Sequence, residues 1–362
     1  MIKNFKYRIY PTKLQETKLK TQLDECRWVY NHFLEQRKIE WEENQESIGL
    51  YDQTMTLPHL KKQRPTLKQV HSQVLQNVGN RIELAFQAFF RRIKNGATPG
   101  YPRFRGRDRY DSMTYPQYGS GAKINDSDNL QLSKVGEIST VYHRPIEGKP
   151  KTVTIRKTAT DKWYVTIACE FEPKPLDENP NEVGIDVGLY SFATLSTGEQ
   201  VDNPRFFRTE EKELAKAQRR FSKAEKGTKT YQTRKKIVAR VHERIGFKRH
   251  NFIHQLSWYL VNLFGFIAVE DLDVNRMLHN HCLAKSIADV AWSSFFSTLM
   301  YKAEWAGRQF VAVNPAYTSQ TCSNCGHRQK MPLSERVYRC PCCKIEIDRD
   351  LNAALNILAL GR

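Results

Sequence analysis

The sequence predicts a multidomain α+β protein, on three observations. The chain has 362 residues, more than one hydrophobic core usually accommodates. Strand-like alternation and helical periodicity occupy separate blocks of the chain, which is typical of α+β folds. Near the end, two Cys-x-x-Cys pairs interrupt a strand–helix block, and this indicates a small inserted metal-binding unit.

The composition points to a polyanionic partner. There are 57 Lys and Arg residues against 39 Asp and Glu, a formal net charge of +18. This charge favours nucleic acid most simply. An acidic membrane surface would attract the same charge, but the chain has no run of eighteen apolar residues and no apolar signal core near its start.

The first half predicts a strand, a helical insert and further strands. KNFKYRIYPT reads as a strand that ends at Pro11. A helix is predicted from Gln15, a loose Gln-rich segment follows at 45–63, and a second helix begins near Val70. Short alternating strands between Ala122 and Phe171 predict a small antiparallel barrel or sandwich. Pro173, Pro175 and Pro180 then mark a linker.

Between these blocks, GATPGYPRFRGRDRYDSMTYPQYG alternates aromatic and arginine residues. Aromatic faces can stack on bases while guanidinium groups neutralise phosphates, so the stretch is a candidate nucleic-acid contact. The alternative is a loop that packs its aromatics on a sheet. The candidate contacts here are Tyr101, Arg103, Phe104, Arg105 and Arg107.

The second half opens with an apolar strand that contains Asp186, followed by a hairpin. Between Arg205 and Arg249 there are sixteen Lys and Arg against five Glu, which predicts a helix lying along a phosphate backbone. Its candidate contacts are Arg219, Arg220, Lys235 and Lys236.

A second apolar strand, FIAVEDL, carries Glu270, and DRD opens the last helix. A charge in an apolar strand is costly unless it is neutralised. Three acids brought together repel one another unless divalent cations lie among them, and carboxylates suit Mg²⁺ or Mn²⁺. Two such ions, roughly 4 Å apart, can hydrolyse a phosphodiester. For any one acid, a strand cap or a salt bridge is the alternative.

Helix geometry favours Asp350 as the third acid. Asp350, Ala353, Ala354 and Ile357 share one face, whereas Asp348 is better placed to cap the helix. Asp348 stays the second choice.

The C-x₂-C-x₁₄-C-x₂-C spacing predicts a closed, structural Zn²⁺ site. Its expected ligands are Cys322, Cys325, Cys340 and Cys343, with Cys342 and His327 as alternatives. Clustered thiols without a secretion signal indicate the reducing cytoplasm.

The motifs GIDVGL, VEDL, NPAYTSQTCSNCG, LSERVYRCPCC and DRDLNAALNI stand in an order that resembles the TnpB family of transposon-encoded, RNA-guided DNA nucleases. YRIYPT and GYPRFRGR extend the resemblance more weakly into the first half. Cys342 departs from the small residue usual at its position. The resemblance implies an RNase H-like (RuvC) α/β nuclease domain with Asp186, Glu270 and Asp350 as its metal-binding triad.

The resemblance also implies a domain order. The expected domains are a wedge-like β-barrel (1–10 and 97–180), a helical recognition insert (11–96), the nuclease domain (181–316 and 347–362) and an inserted zinc ribbon (317–346).

The partners implied are a guide RNA from the transposon end and a double-stranded DNA target with a short adjacent motif. In such systems base pairing reads the sequence while the protein reads the backbone and the flank. The protein is expected to act as a monomer on one guide RNA in the prokaryotic cytoplasm, associated with the nucleoid. A nuclease-inactive repressor, a DDE-type transposase and a guide-independent resolvase are the alternatives.

Overall fold

The computed structural model describes residues 1–332 and 335–362, without the side chain of Asp108. The chain divides into two compact units, Met1–Glu172 and Pro173–Arg362. The division falls at the proline-containing segment that the sequence predicts as a linker. Within the described residues, no helix is both long and apolar enough to cross a membrane.

The first unit is built on a nearly closed sheet of seven antiparallel strands. Its central strand, β1 (Ile2–Tyr10), pairs with β7 (Trp163–Glu170) on one side and with β5 (Gly136–Val141) on the other. Alternate residues of β1, Phe5, Tyr7 and Ile9, are buried as the period of two requires. The strands are β1 (Ile2–Tyr10), β2 (Ser112–Tyr115), β3 (Ala122–Ile124), β4 (Leu130–Leu132), β5 (Gly136–Val141), β6 (Lys149–Lys157) and β7 (Trp163–Glu170), in the spatial order β2-β6-β7-β1-β5-β4-β3.

Helices lie between β1 and β2 in the chain. Thr12 begins the first helix with a capping box: its hydroxyl accepts from the Gln15 amide, and the Gln15 side chain accepts from the Thr12 amide. The segment 45–63, predicted to be loose, contains two short helices instead. The helices of this unit are α1 (Lys13–Asn44), α2 (Leu50–Met55), α3 (Leu57–Gln63), a 3₁₀ turn (Pro65–Gln69), α4 (Ser72–Lys94) and a second 3₁₀ turn (Arg107–Arg109).

Two aromatics of the arginine–aromatic stretch lie in the core. Tyr110 is 8% exposed and its ring centroid lies 6.0 Å from that of Tyr30, whereas Tyr115 is fully buried. For these two, the alternative of an aromatic packed in the core applies, and they are not available to stack on bases.

The second unit contains a five-stranded mixed sheet. Three of its strands are parallel: β8 (Glu182–Val187), β11 (Phe266–Glu270) and β12 (Gln309–Val313). The other two, β9 (Ser191–Leu195) and β10 (Gln200–Asp202), run antiparallel to their neighbours. The spatial order is β10-β9-β8-β11-β12. The elements are β8 (Glu182–Val187), β9 (Ser191–Leu195), β10 (Gln200–Asp202), α5 (Phe206–Ser222), α6 (Lys229–Leu263), β11 (Phe266–Glu270), α7 (Val274–Met277), α8 (Ala284–Val290), α9 (Trp292–Trp305), β12 (Gln309–Val313), β13 (Val337–Arg339), β14 (Glu346–Asp348) and α10 (Arg349–Gly361).

The basic segment after Arg205 is two helices and not the one predicted. Gly227, with φ of +89°, turns the chain between α5 and α6, and the Thr228 hydroxyl caps α6 by accepting from the Tyr231 amide. Glu210 on α5 then accepts from Arg244 and Lys248 on α6, at 3.0 and 2.8 Å. The two helices therefore form a packed hairpin.

Candidate active site and metal centre

Asp186 and Glu270 lie side by side on neighbouring parallel strands. Ile185 of β8 is opposite Val269 of β11, and the next residue on each strand is the acid. Ile185 and Val269 belong to the core cluster that includes residues of α6 and α9. Because strand side chains alternate between faces, both carboxylates are on the other face of the sheet.

α10 covers that second face because β8 has no side chain at Gly184. A Cβ there would lie 2.1 Å from the Ala354 carbonyl oxygen of α10. Ala353, Ala354 and Ile357 are buried, which confirms the helix face predicted from their spacing. The first turn of α10 consequently lies near the carboxyl ends of β8 and β11, where it brings Asp350 close enough to act on Asp186.

Asp348 caps α10, as its position in the sequence predicts. Its Oδ1 accepts hydrogen bonds from the Asp350 and Leu351 amides, both at 2.9 Å. Asp350 instead faces two cations: Arg336 and Arg349 each approach its carboxylate to 3.4 Å.

The negative charges meet at Asp186. Burial raises the pKa of Asp186 well above its usual value, and the carboxyls of Glu270 and Asp350 raise it further, while Arg349 opposes them. Burial also raises the pKa of Glu270, against a hydrogen bond of 2.6 Å from the Thr318 hydroxyl. Three acids from distant parts of the sequence therefore share one electrostatic environment.

The four predicted cysteines form a metal-type cluster. Their sulfurs all lie within 4.8 Å of one another, with Cys322–Cys343 at 3.6 Å and Cys325–Cys340 at 3.5 Å. A tetrahedral Zn²⁺ with Zn–S bonds of about 2.3 Å needs sulfurs about 3.8 Å apart, so this donor set fits zinc. Cys342 is exposed, and the cluster contains Cys343 in its place.

Hydrogen bonds from the Asn324 side chain and the Ile345 amide lower the pKa of Cys343 to about 6, whereas burial and the three neighbouring thiols raise the pKa of Cys325 to about 12. Of these two thiols, Cys343 therefore loses its proton more readily, as metal binding requires. The β13–β14 hairpin and Tyr338 support the two Cys-x-x-Cys turns. Tyr338 is fully buried, and its hydroxyl lies 3.2 Å from the Gln320 carbonyl and 3.1 Å from the His327 carbonyl. Sequence reasoning did not single out Tyr338.

Sequence reasoning also missed Thr318, Asn352 and Asn356. Asn352 is fully buried, and both asparagines donate to the Thr321 carbonyl at 2.7 Å. The available signal was the pair of asparagines four residues apart in an otherwise apolar helix, since a buried amide needs partners.

A basic groove lies between α5 and α6. It encloses a cavity of about 620 Å³ that is lined by four cations, Lys216, Arg220, Lys229 and Arg234. In the part of the chain that the structure describes, Lys216, Arg220 and Lys229 make no ion pair. The one acid of the lining, Glu213, is bonded to Arg244 at 3.0 Å.

The other predicted nucleic-acid residues are dispersed. Arg219 and Lys235 are exposed and Lys236 is half-buried, all outside the groove lining. In the first unit, Arg103, Phe104, Arg105 and Arg107 are exposed, and Tyr101 packs edge-on against Phe86 and Phe89 with 45% of its surface exposed.

Three family models match the chain. They are described as "Helix-turn-helix domain" over residues 1–46, "Probable transposase" over residues 166–281 and "Cas12f1-like, TNB domain" over residues 292–357. The last of these spans the four cysteines and Asp350.

Two curated relatives align with 99% of the chain. One, described as "Putative RNA-guided DNA endonuclease" of Streptomyces pristinaespiralis, is 37% identical, with 89% of its own length aligned. The other, "Putative RNA-guided DNA endonuclease InsQ" of Escherichia coli (strain K12), is 31% identical, with 92% of its length aligned. These matches place the chain beside proteins described as RNA-guided DNA endonucleases.

More particularly, the chain belongs to the TnpB family, which confirms the resemblance seen in its motifs. A solved structure described as "Structure of the mini-RNA-guided endonuclease CRISPR-Cas_phi3" matches with a TM-score of 0.54 and 10% identity, over 100% of this chain and 92% of that one. At that identity the match shows a shared fold alone.

Proposed function

We propose that this protein is an RNA-guided DNA endonuclease of a transposable element. The observation that carries the proposal is the convergence of Asp186, Glu270 and Asp350 at the carboxyl ends of β8 and β11. The descriptions of its curated relatives support DNA as the substrate and RNA as the guide. The five-stranded sheet with α10 on its carboxylate face supports an RNase H-like, RuvC-type nuclease domain.

Asp186, Glu270 and Asp350 would hold Mg²⁺ or Mn²⁺. The donor set fits, because hard divalent cations prefer carboxylate oxygens. Positive charge also relieves the burial and the carboxylate repulsion that together raise the pKa of Asp186. When bound, two such ions supply an activated water and stabilise the leaving oxygen of a phosphodiester. Arg336 and Arg349 hold the Asp350 carboxylate in place.

The four cysteines would hold a structural Zn²⁺, since four sulfurs leave no coordination position for substrate. In our domain assignment, residues 317–346 are the zinc ribbon, 181–316 and 347–362 the nuclease domain, 1–10 and 97–180 a wedge-like barrel, and 11–96 a recognition insert. The nearly closed sheet of the first unit, with its helices between β1 and β2, supports the barrel and the insert.

The α5–α6 groove and the exposed arginines of 103–107 would contact the phosphates of the guide RNA and the target DNA. Unpaired cations can release counterions from a nucleic-acid backbone, whereas those bonded to Glu210 cannot do so freely. One protomer contains all three acids, which is consistent with a monomer acting on one guide RNA. Action on DNA would place the protein at the nucleoid of a prokaryotic cytoplasm.

The test is guided cleavage. The protein is purified with its copurifying RNA, which is sequenced, and is then incubated with Mg²⁺ and plasmids that carry the matching sequence beside randomised bases. Double-strand breaks that depend on the match and on a short flanking motif are the expected result. Binding without cleavage would favour a repressor, and cleavage that ignores the RNA would refute guidance.

A further inference from the structure

One short segment connects the four-cysteine site to a carboxylate of the proposed triad. It runs from Thr318, which is 4% exposed, to Ser323, and it contains the first metal-site cysteine, Cys322. At its near end the Thr318 hydroxyl lies 2.6 Å from Oε1 of Glu270, which is itself 8% exposed.

The Thr318 hydroxyl has a single proton to donate. Two acceptors are in reach: Glu270 Oε1 at 2.6 Å and the Pro315 carbonyl at 3.2 Å. Because a hydrogen bond from a hydroxyl to a carboxylate is shorter and stronger than one to a carbonyl, the Thr318 hydroxyl donates to Glu270. Oε1 is then held by this hydrogen bond, and Oε2 is the oxygen left to bind a metal ion.

The backbone of the segment is held on α10 by two asparagines. Asn356 donates to the carbonyls of Thr318 and Thr321, at 2.8 and 2.7 Å. Asn352 donates to the Thr321 carbonyl at 2.7 Å, and its own oxygen accepts from the Ser323 amide at 2.9 Å. The segment is therefore held on both sides of Cys322, by the helix that carries Asp350.

We infer that Thr318 is a positioning residue for Glu270 and that the ribbon, through Thr318–Ser323, determines where the Glu270 carboxylate lies. Cys322, as a ligand of a bound Zn²⁺, would hold the far end of the segment. Asn352 and Asn356 hold its middle, and the Thr318 hydroxyl bonds the Glu270 carboxylate. The inference rests on the proposed role of Glu270.

The test compares Thr318→Val, which is isosteric but has no hydroxyl, with Thr318→Ser, which keeps it. Ser319→Ala is the matched control, because it removes a neighbouring hydroxyl and leaves the Thr318–Glu270 bond in place. Two quantities are measured on the full chain with its copurified RNA: the Mg²⁺ concentration for half-maximal cleavage, and Mn²⁺ binding by electron paramagnetic resonance, with Glu270→Gln as the blank.

Thr318→Val should weaken both metal readouts about tenfold, the usual cost of losing a group that orients a metal ligand. Excess Mg²⁺ should restore most of the rate. Thr318→Ser and Ser319→Ala should match the wild type in both. Asn356→Leu should shift the metal requirement in the same direction as Thr318→Val while the zinc content stays at one per chain.

Equal metal affinity in Thr318→Val and wild type would overturn the inference, as would an equal shift in Ser319→Ala, which would indicate only a loosened fold. The proposed function fails separately: a wild type that binds Mn²⁺ at Glu270 but never cleaves refutes the nuclease. In that case weakened Mn²⁺ binding in Thr318→Val still supports positioning.

Discussion

Asp348 bonds the backbone of Asp350, two residues further along, with its Oδ1 2.9 Å from the Asp350 amide nitrogen. The Asp348 carboxylate is thereby directed at the N-terminus of α10, where the helix dipole favours negative charge. The Asp350 side chain is left to meet Asp186 at the ends of the strands. Two identical side chains in one motif thus have different roles.

This division predicts opposite behaviour for two substitutions. Asp350→Asn should lower cleavage by more than about 100-fold, because loss of a group that only orients a ligand already costs about 10–100-fold. Asp348→Ser, which keeps a capping oxygen, should retain most activity. Asp348→Ala should lower the free energy of unfolding by about 1 kcal/mol. Full cleavage by Asp350→Asn would contradict the assignment.

Gly184→Ala should separate α10 from the sheet. The new methyl would lie 2.1 Å from the Ala354 carbonyl, so the helix must move and Asp350 must move with it. We expect the free energy of unfolding to fall by about 1–3 kcal/mol, as overpacking usually costs, and cleavage to be lost.

The matched control is Gly246→Ala in α6, where nothing lies within 4 Å of the added atom. That change should stabilise the chain by about 0.5–1 kcal/mol through helix propensity alone. Urea unfolding of both variants measures the two effects, and the same sign for both would refute the packing argument.

The cysteine cluster predicts which thiols bind metal. Cys325→Ser should remove zinc from the purified protein, as measured by elemental mass spectrometry, and lower the melting temperature. Cys342→Ser should keep one zinc per chain, because Cys342 is exposed and outside the cluster. If Cys342→Ser lost its zinc while Cys325→Ser kept it, the ligand assignment would be wrong.

The groove between α5 and α6 predicts a salt-dependent contact. Lys216→Gln, Arg220→Gln and Lys229→Gln should each weaken RNA or DNA binding, and the slope of log affinity against log salt should fall by about one per lost phosphate contact. Lys20→Gln removes the same charge from a lysine already bonded to Glu16 at 2.8 Å, and it should leave the slope unchanged. Equal effects from all four would indicate net charge alone.

Lys302 predicts a pH dependence of stability. It donates to the His254 carbonyl at 2.6 Å, and burial lowers its pKa to about 8. The pKa of a lysine in the unfolded chain is about 10.4. Between these two pKa values the unfolded chain binds the proton and the folded chain does not, so the free energy of unfolding rises with pH. Lys302→Met should lack this rise. Urea titrations of both proteins at pH 7 and pH 10 measure it, and a constant difference would contradict it.

Patterns of local origin were predictable from the sequence. The apolar strands around Asp186 and Glu270, the buried face of α10 and the cap at Asp348 all follow from periodicity and spacing. The contacts of Thr318 were not predictable, because its partner Glu270 lies 48 residues earlier and no spacing rule connects them.

The same limit explains what the sequence did not reveal in either unit. Tyr110 lies in a stretch whose composition is typical of a nucleic-acid contact, and only its packing against Tyr30 of α1 shows that it belongs to the core. The break between α5 and α6 depends on one glycine with positive φ, which a run of good helix formers conceals.

The central position of β1 sets the order in which the first unit can fold during synthesis. β1 is synthesised before the other strands of the sheet, and its long partner, β7, ends at Glu170. The two strands can therefore pair only after about 160 further residues have been synthesised. The helices between them need only neighbouring contacts and can form early. Until β7 has been synthesised, the nascent chain carries a strand whose apolar side chains Phe5, Tyr7 and Ile9 have no β7 beside them, and the pairing of β1 with β7 completes the sheet last.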